Sequence, residues 1–206
     1  MALLSEAEKQ KIAQAVALAE SKTSGEIVVS YVRRSGTYRW IDGLAALKGA
    51  FMGTLVAVVL HSGRWDFSPW NLLVWQSAGA FFYVALVQIP FLRRLPVSKK
   101  EFAVRTHAGA LQVFLESGVM RTRDRTGVLI YVSEFEHRVE ILADQGIHSV
   151  LDNQYWNAQV ELIVAGIRAN KACEALCEAV AQIGSKLSEK FPIRADDTNE
   201  LPNQPL

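Results

Sequence analysis

The sequence predicts an α/β domain interrupted by a transmembrane helical hairpin, and three observations predict it. Two long apolar segments, about 43–60 and 68–92, stand nearly back to back around a six-residue link, 61–66. On either side of them the chain alternates helical repeats with β-branched runs, the pattern of an α/β domain. The strand before the apolar pair and the strand after it are joined through one crossover, so they are expected to be parallel neighbours in one sheet. The hairpin, 41–94, is therefore an insertion into a discontinuous domain, 1–40 and 95–192, and not a linker between two domains.

The N-terminal helix opens on a capping box, Ser5 with Glu8, and Ile12, Val16 and Ala19 follow at helical spacing. It is expected over 6–21 and to close at Thr23-Ser24-Gly25. Glu26–Val32 is a strand by its β-branched content. No basic segment followed by an apolar run opens the chain, so a cleavable export signal is not expected.

The second apolar run is free of charge from Phe67 to Leu92. At about 1.5 Å per residue it measures roughly 39 Å, against a hydrocarbon core of about 30 Å. The first run holds only Lys48, near its start, where an ammonium reaches the interface by snorkelling. Trp40, Trp65 and Trp70 flank the spans as an aromatic belt would; Trp75 and Tyr83 fall inside the second. Ala45, Gly49, Gly53 and Ala57 recur every fourth residue, a stripe of small residues suited to close helix packing. It serves either the partner helix of the hairpin or a second copy of the chain. Eight basic residues flank the hairpin (Arg33, Arg34, Arg39, Lys48, Arg93, Arg94, Lys99 and Lys100) and only Arg64 lies in the link. That asymmetry places both termini and the folded domain in the cytoplasm, on a two-span protein of the cell inner membrane. Arg33, Arg34, Arg93 and Arg94 are the expected membrane flanks, facing lipid headgroups.

After Pro96 the soluble pattern resumes. A helix from the Ser98/Glu101 capping box to about Glu116 ends at Gly118, a natural left-handed residue. Val128–Ser133 is apolar almost throughout, as a strand buried on both faces is. A turn at Glu134–His137 leads into strand Arg138–Ala143, with His137 on the face of Val139 and Ile141, and Glu136, Arg138 and Glu140 as an outward charged row. Two helices follow, at 153–169 and 171–190, and the polar tail, 193–206, is expected to be disordered.

A net charge of +1 argues against a nucleic-acid partner. Cys173 and Cys177, four apart on one helix face, are too few and poorly placed for a disulfide framework; they read as small apolar residues.

Three segments together resemble the TPM domain family: 20–29, where a helix ends in T-x-G-E-I-V-V; 122–133; and 136–147, a strand ending in an Asp-x-Gly turn. The resemblance covers about 5–32 and 99–188. It implies a sandwich with a central sheet and helices on both faces, here split by the inserted hairpin. Relatives include a thylakoid-lumen protein of photosystem repair described as an acid phosphatase, and bacterial membrane-anchored proteins. It also implies a divalent metal ion, Ca or Mg, in some members.

A phosphatase needs a nucleophile or metal-bound water and positive groups for phosphate. Asp124, Asp144 and Asp152 are the candidate metal ligands or nucleophiles, and Arg138, with Arg121, Arg123 and Arg125, the phosphate clamps. Asp144 and Asp152 open loops after apolar strands, where open α/β sheets place sites. Each also has a plainer reading. Asp144 caps a turn before Gly146, Asp152 is a helix N-cap, and the arginine turn is solvated or lipid-facing. No D-x-D, H-x-H, C-x5-R or phosphate-cradling glycine loop is present. Two functions follow: a membrane-anchored domain that docks a protein partner in assembly or repair, or a metal-dependent phosphatase-like hydrolase.

Overall fold

The computed structural model describes residues 4–61, 68–148, 150–194, 200, 201, 203, 205 and 206, with the side chain of His148 excepted. The chain divides into two compact units, one of 1–36 with 100–206 and one of 37–99.

In the first unit, Ser5 caps α1 (Glu6–Glu20) through the reciprocal box with Glu8, and Ile12, Val16 and Ala19 are its buried stripe. The turn at Thr23-Ser24-Gly25 leads into β1 (Glu26–Val32). Its stitching is long-range: Thr23 Oγ1 donates to the Phe191 carbonyl at 2.6 Å, and Ser24 N donates to the same oxygen. Strands β2 (Gly127–Ser133) and β3 (Arg138–Ala143) complete a sheet of order β1-β2-β3. β1 runs parallel to β2, Glu26 opposite Gly127, and β3 antiparallel to it, Ser133 opposite Arg138.

Every residue of β2 is buried, and the pleat sends alternate side chains to two cores. Val128, Ile130 and Val132 join Ile27 and Val29 beneath α1, α7 (Asn153–Arg168) and α8 (Ala172–Lys190). Leu129 and Tyr131 join Val28 beneath Ala110 and Phe114 of α5 (Lys99–Glu116). Helices therefore cover both faces. α5 ends before Gly118, whose φ of +82° is the left-handed conformation that glycine adopts without strain. A 3-10 turn, Val119–Arg121, follows. The turn after β3 winds into a short helix, α6 (Gln145–His148). Cys173 is buried and Cys177 half-buried, both as free thiols. Burial pushes the Cys173 thiol up to about 11, which keeps it neutral and unreactive.

The second unit is a hairpin of α2 (Arg39–His61) and α3 (Pro69–Leu86), followed by the short α4 (Pro90–Arg94). The residues α2 buries are Ile41, Ala45, Gly49, Gly53 and Ala57, the small-residue stripe behind one isoleucine. A Cβ built on Gly49 would overlap the Gly79 carbonyl, and one on Gly53 the Trp75 carbonyl. The stripe is thus used within the hairpin. Gln76 Nε2 donates to Thr54 Oγ1 at 3.0 Å, a polar link between the two helices. The large side chains point away: Phe51, Val59, Trp70 and Phe81 are all more than 60% exposed. The second apolar run is not one helix to Leu92, as read from the sequence. It stops at Leu86 and restarts at Pro90, because proline has no N–H to continue the ladder and disfavours helical geometry before it. The link, 62–67, with Arg64 and Trp65, lies outside the described residues.

Candidate functional site

The sheet has two polar ends, and the candidate residues divide between them. At the amino ends of β1 and β2 lies the arginine turn. Thr122 Oγ1 accepts from Thr126 N at 3.1 Å, Thr126 Oγ1 donates to the Ser24 carbonyl at 2.9 Å, and Arg125 sits at φ +53°. These bonds hold Asp124 on an exposed corner, where it pairs with Arg194 at 2.8 Å. With Ser24, Glu26, Arg123 and Glu200 they enclose a polar cleft of about 10 Å³, about the room one water takes.

Asp144 ends at the same edge. β3 is antiparallel to β2, so its carboxyl end lies beside the amino ends of the parallel pair. As a loop after an apolar strand, this position is where an open parallel sheet would bind a ligand; the antiparallel direction of β3 puts it at the other edge. Asp144 is 4% exposed. Its Oδ1 accepts from Gln145 N at 2.6 Å, which is the turn cap the sequence suggests, whereas Oδ2 is buried with no hydrogen-bond partner among the described residues. Gly146 brings the two loops together. Its N–H donates to the Arg125 carbonyl at 3.1 Å, and a Cβ there would lie 2.7 Å from that oxygen and 2.9 Å from the Asp124 carbonyl. Only glycine permits so close an approach.

Asp152 is the N-cap of α7, accepting from Tyr155 N at 2.8 Å. Arg138 opens β3 and so lies at the opposite end of the strand from Asp144, roughly 20 Å away at about 3.3 Å per residue. It cannot clamp a phosphate held by Asp144. Among the described residues no three His, Cys, Asp or Glu side chains gather as a metal would require. Asp124 is held by an arginine and Asp152 by a helix end, and of these three side chains only Asp144 keeps, among the described residues, a carboxylate oxygen that is both buried and unpartnered. That donor set does not form a cage for calcium, which takes about six to eight oxygens.

Two carboxylate groupings were not legible in the sequence. Glu20 and Glu26, six residues apart, are brought together by the turn between α1 and β1. Glu20 Oε1 accepts from Ile27 N at 2.9 Å, and its carboxyl is pushed up to about 8, mainly by burial and further by Glu26 beside it. Glu26 Oε1 in turn accepts from Glu200 N at 3.2 Å. At the other end of the sheet, Glu136 is not part of an outward row: it is 2% exposed. It accepts from Ser35 N at 3.0 Å and from the Ser133 hydroxyl, and Tyr131 Oη donates to Ser35 Oγ at 3.0 Å. Glu136 thereby ties the chain leaving β1 to the β2–β3 turn. His137, at φ +50°, is an exposed turn residue and not part of the β3 face. Of the membrane flanks, Arg33 and Arg34 are exposed, while Arg93 grips Asp42 with two 2.9 Å bonds.

The described residues of the 193–206 tail lie along β1 and its surroundings. Leu206 N donates to the Val29 carbonyl and its own carbonyl accepts from Tyr31 N, each at 3.0 Å, while Leu201 packs on the α5-side core. The rest of the tail lies outside the described residues.

No curated protein matches the chain. The NMR structure of the BA42 protein from the psychrophilic bacterium Bizionia argentinensis is similar in fold. The two align with a TM-score of 0.61 over 99% of this chain and 94% of that one, at 20% identity. Residues 92–186 match the TPM domain family. Two of the three resembling segments, 122–133 and 136–147, fall within that matched stretch, which runs from α4 to α8, and the third, 20–29, precedes it.

Proposed function

We propose that this is a TPM-domain protein anchored in the cell inner membrane by the α2–α3 hairpin, with its α/β domain on the cytoplasmic face docking a protein partner in assembly or repair. The observation that supports it is the inside-out hairpin. Glycine and alanine occupy the α2–α3 interface while phenylalanine, valine and tryptophan face outward. Water would make that surface costly at roughly 25 cal/mol per Å² of apolar area; lipid tails make it neutral, and small residues then decide the packing. Among the described residues α2 is the one helix long and apolar enough to cross a membrane. α3, at 18 residues, covers roughly 27 Å and spans with local thinning.

Topology tests the reading. In a background with Cys173 and Cys177 replaced by alanine, single cysteines at Ser62 and Asp196 are labelled with a membrane-impermeant maleimide on intact cells. Labelling at 62 and not at 196 is expected. The reverse pattern would invert the orientation, and a chain washed off membranes by alkaline carbonate would remove the anchor altogether.

A second reading, a phosphatase-like hydrolase, is favoured by one feature, the buried unpaired Oδ2 of Asp144. With so few converging groups, purified protein is expected to hydrolyse p-nitrophenyl phosphate weakly and without dependence on Asp144. Strong turnover abolished by Asp144→Asn and by chelation would promote the enzyme over the docking module.

A further inference from the structure

The hairpin unit contains an apolar crevice of about 390 Å³, within the range of about 300–1,000 Å³ typical of small-molecule sites. The break before Pro90 leaves Leu86 and Val87 at the end of α3, and together with Leu92 and Leu95 they face Ile41 and Leu44 of α2 across it. The α4 side is fixed in place. Arg93 chelates both carboxylate oxygens of Asp42 at 2.9 Å, and Gln88 bonds both partners of that pair. The lining has two polar members, Lys48 and Tyr83. Among the described residues no carboxylate pairs with the Lys48 ammonium.

The geometry points to a binding site for one anionic phospholipid, its acyl chain in the crevice and its phosphate on Lys48. The inference rests on the bilayer reading of the hairpin. Water has too few polar partners in such a lining to fill it, and an empty crevice forfeits dispersion contacts on every wall. In a membrane the available apolar filler is an acyl chain. The lone ammonium selects the head. A zwitterionic lipid brings its own cation to its phosphate, whereas an anionic lipid leaves that charge to Lys48. Arg93 cannot substitute, because its guanidinium is held by Asp42.

The full chain in non-ionic detergent, given phosphatidylglycerol or phosphatidylcholine, is examined by native mass spectrometry. One phosphatidylglycerol per chain is expected, retained about fivefold over phosphatidylcholine, the effect of one lysine at the headgroup. Lys48→Gln removes the preference, Lys48→Arg keeps it, and Lys99→Gln leaves it unchanged. A phosphatidylglycerol with a photoreactive acyl chain labels Leu44, Leu86 or Leu92. Equal retention of the two lipids, an equal loss in Lys99→Gln, or labelling confined to the outward faces of α2 and α3 would overturn the site. Carbonate extraction of the same proteins separates this from the anchor. A chain that resists extraction yet shows no lipid preference sinks the site alone, and one that extracts sinks both.

Discussion

Glu20 is the last residue of α1 and Glu26 the first of β1, and the turn between them brings the two carboxyls together out of water. Burial is the main cause that raises the Glu20 carboxyl from 4.5 to about 8, and the charge of Glu26 adds to it. Folding therefore takes up a proton at Glu20 between those two values. The folded form gains from this group below about pH 4.5 and loses that gain progressively as pH rises to about 8, beyond which the effect is constant. Because the site is partly solvated, the loss amounts to roughly 1–2 kcal/mol. Glu20→Gln keeps the acceptor for Ile27 N and removes the ionisation. Thermal unfolding of wild type is expected to fall by several degrees between pH 5 and pH 8, at about 2–4 °C per kcal/mol for a chain of roughly 150–250 residues. The variant should lack that component and be the more stable of the two at pH 8. Parallel slopes would mean that Glu20 stays ionised.

Among the elements, α2 and α3 show how backbone proximity replaces side-chain bulk. Gly49 and Gly53 leave room for the carbonyls of Gly79 and Trp75, and nothing within 4 Å occupies the space beside Gly43. Gly53→Leu should therefore push the helices apart and cost about 1–3 kcal/mol, the range for overpacking a tight interface. Gly43→Leu, on the same helix, should change stability by less than about 0.5 kcal/mol. Circular dichroism melts in detergent read the difference. Indistinguishable melts would mean that α2 does not lie against α3 through this stripe. α3 itself ends where local chemistry ends it, at the approach to Pro90, so hydropathy alone overstates its length.

At the scale of the whole chain, both cores of the α/β unit are built from residues outside 37–99. β1 and β2 are joined by their parallel ladder, and Phe135 N and Glu134 N extend the contact to the carbonyls of Arg33 and Val32. Replacing 37–99 with a short Gly/Ser loop should leave a water-soluble domain with a cooperative thermal transition, since loop closure costs only a few kcal/mol at most. An aggregating product without a transition would assign the apolar segments to the core of the fold and overturn the insertion.

What the sequence by itself determined is what repeats over a few residues. The capping box at Ser5, the stripe Ile12–Val16–Ala19, the two-faced burial of β2 and the stop at Gly118 are each decided by neighbours within a turn or a pleat. The segments that resemble the TPM family were legible for the same reason. Tertiary structure alone decided what depends on strand direction and on partners distant in sequence. Glu136 looks like one of an exposed charged row until Ser35, 101 residues away, reaches it. Asp144 reads as a residue at the carboxyl edge of the sheet until the antiparallel run of β3 puts it beside the amino ends of β1 and β2. The small-residue stripe fits a neighbouring helix or a second chain equally well as a pattern. Only the fold brings Gly79 to Gly49, because periodicity records which face a residue takes and not what comes to meet it.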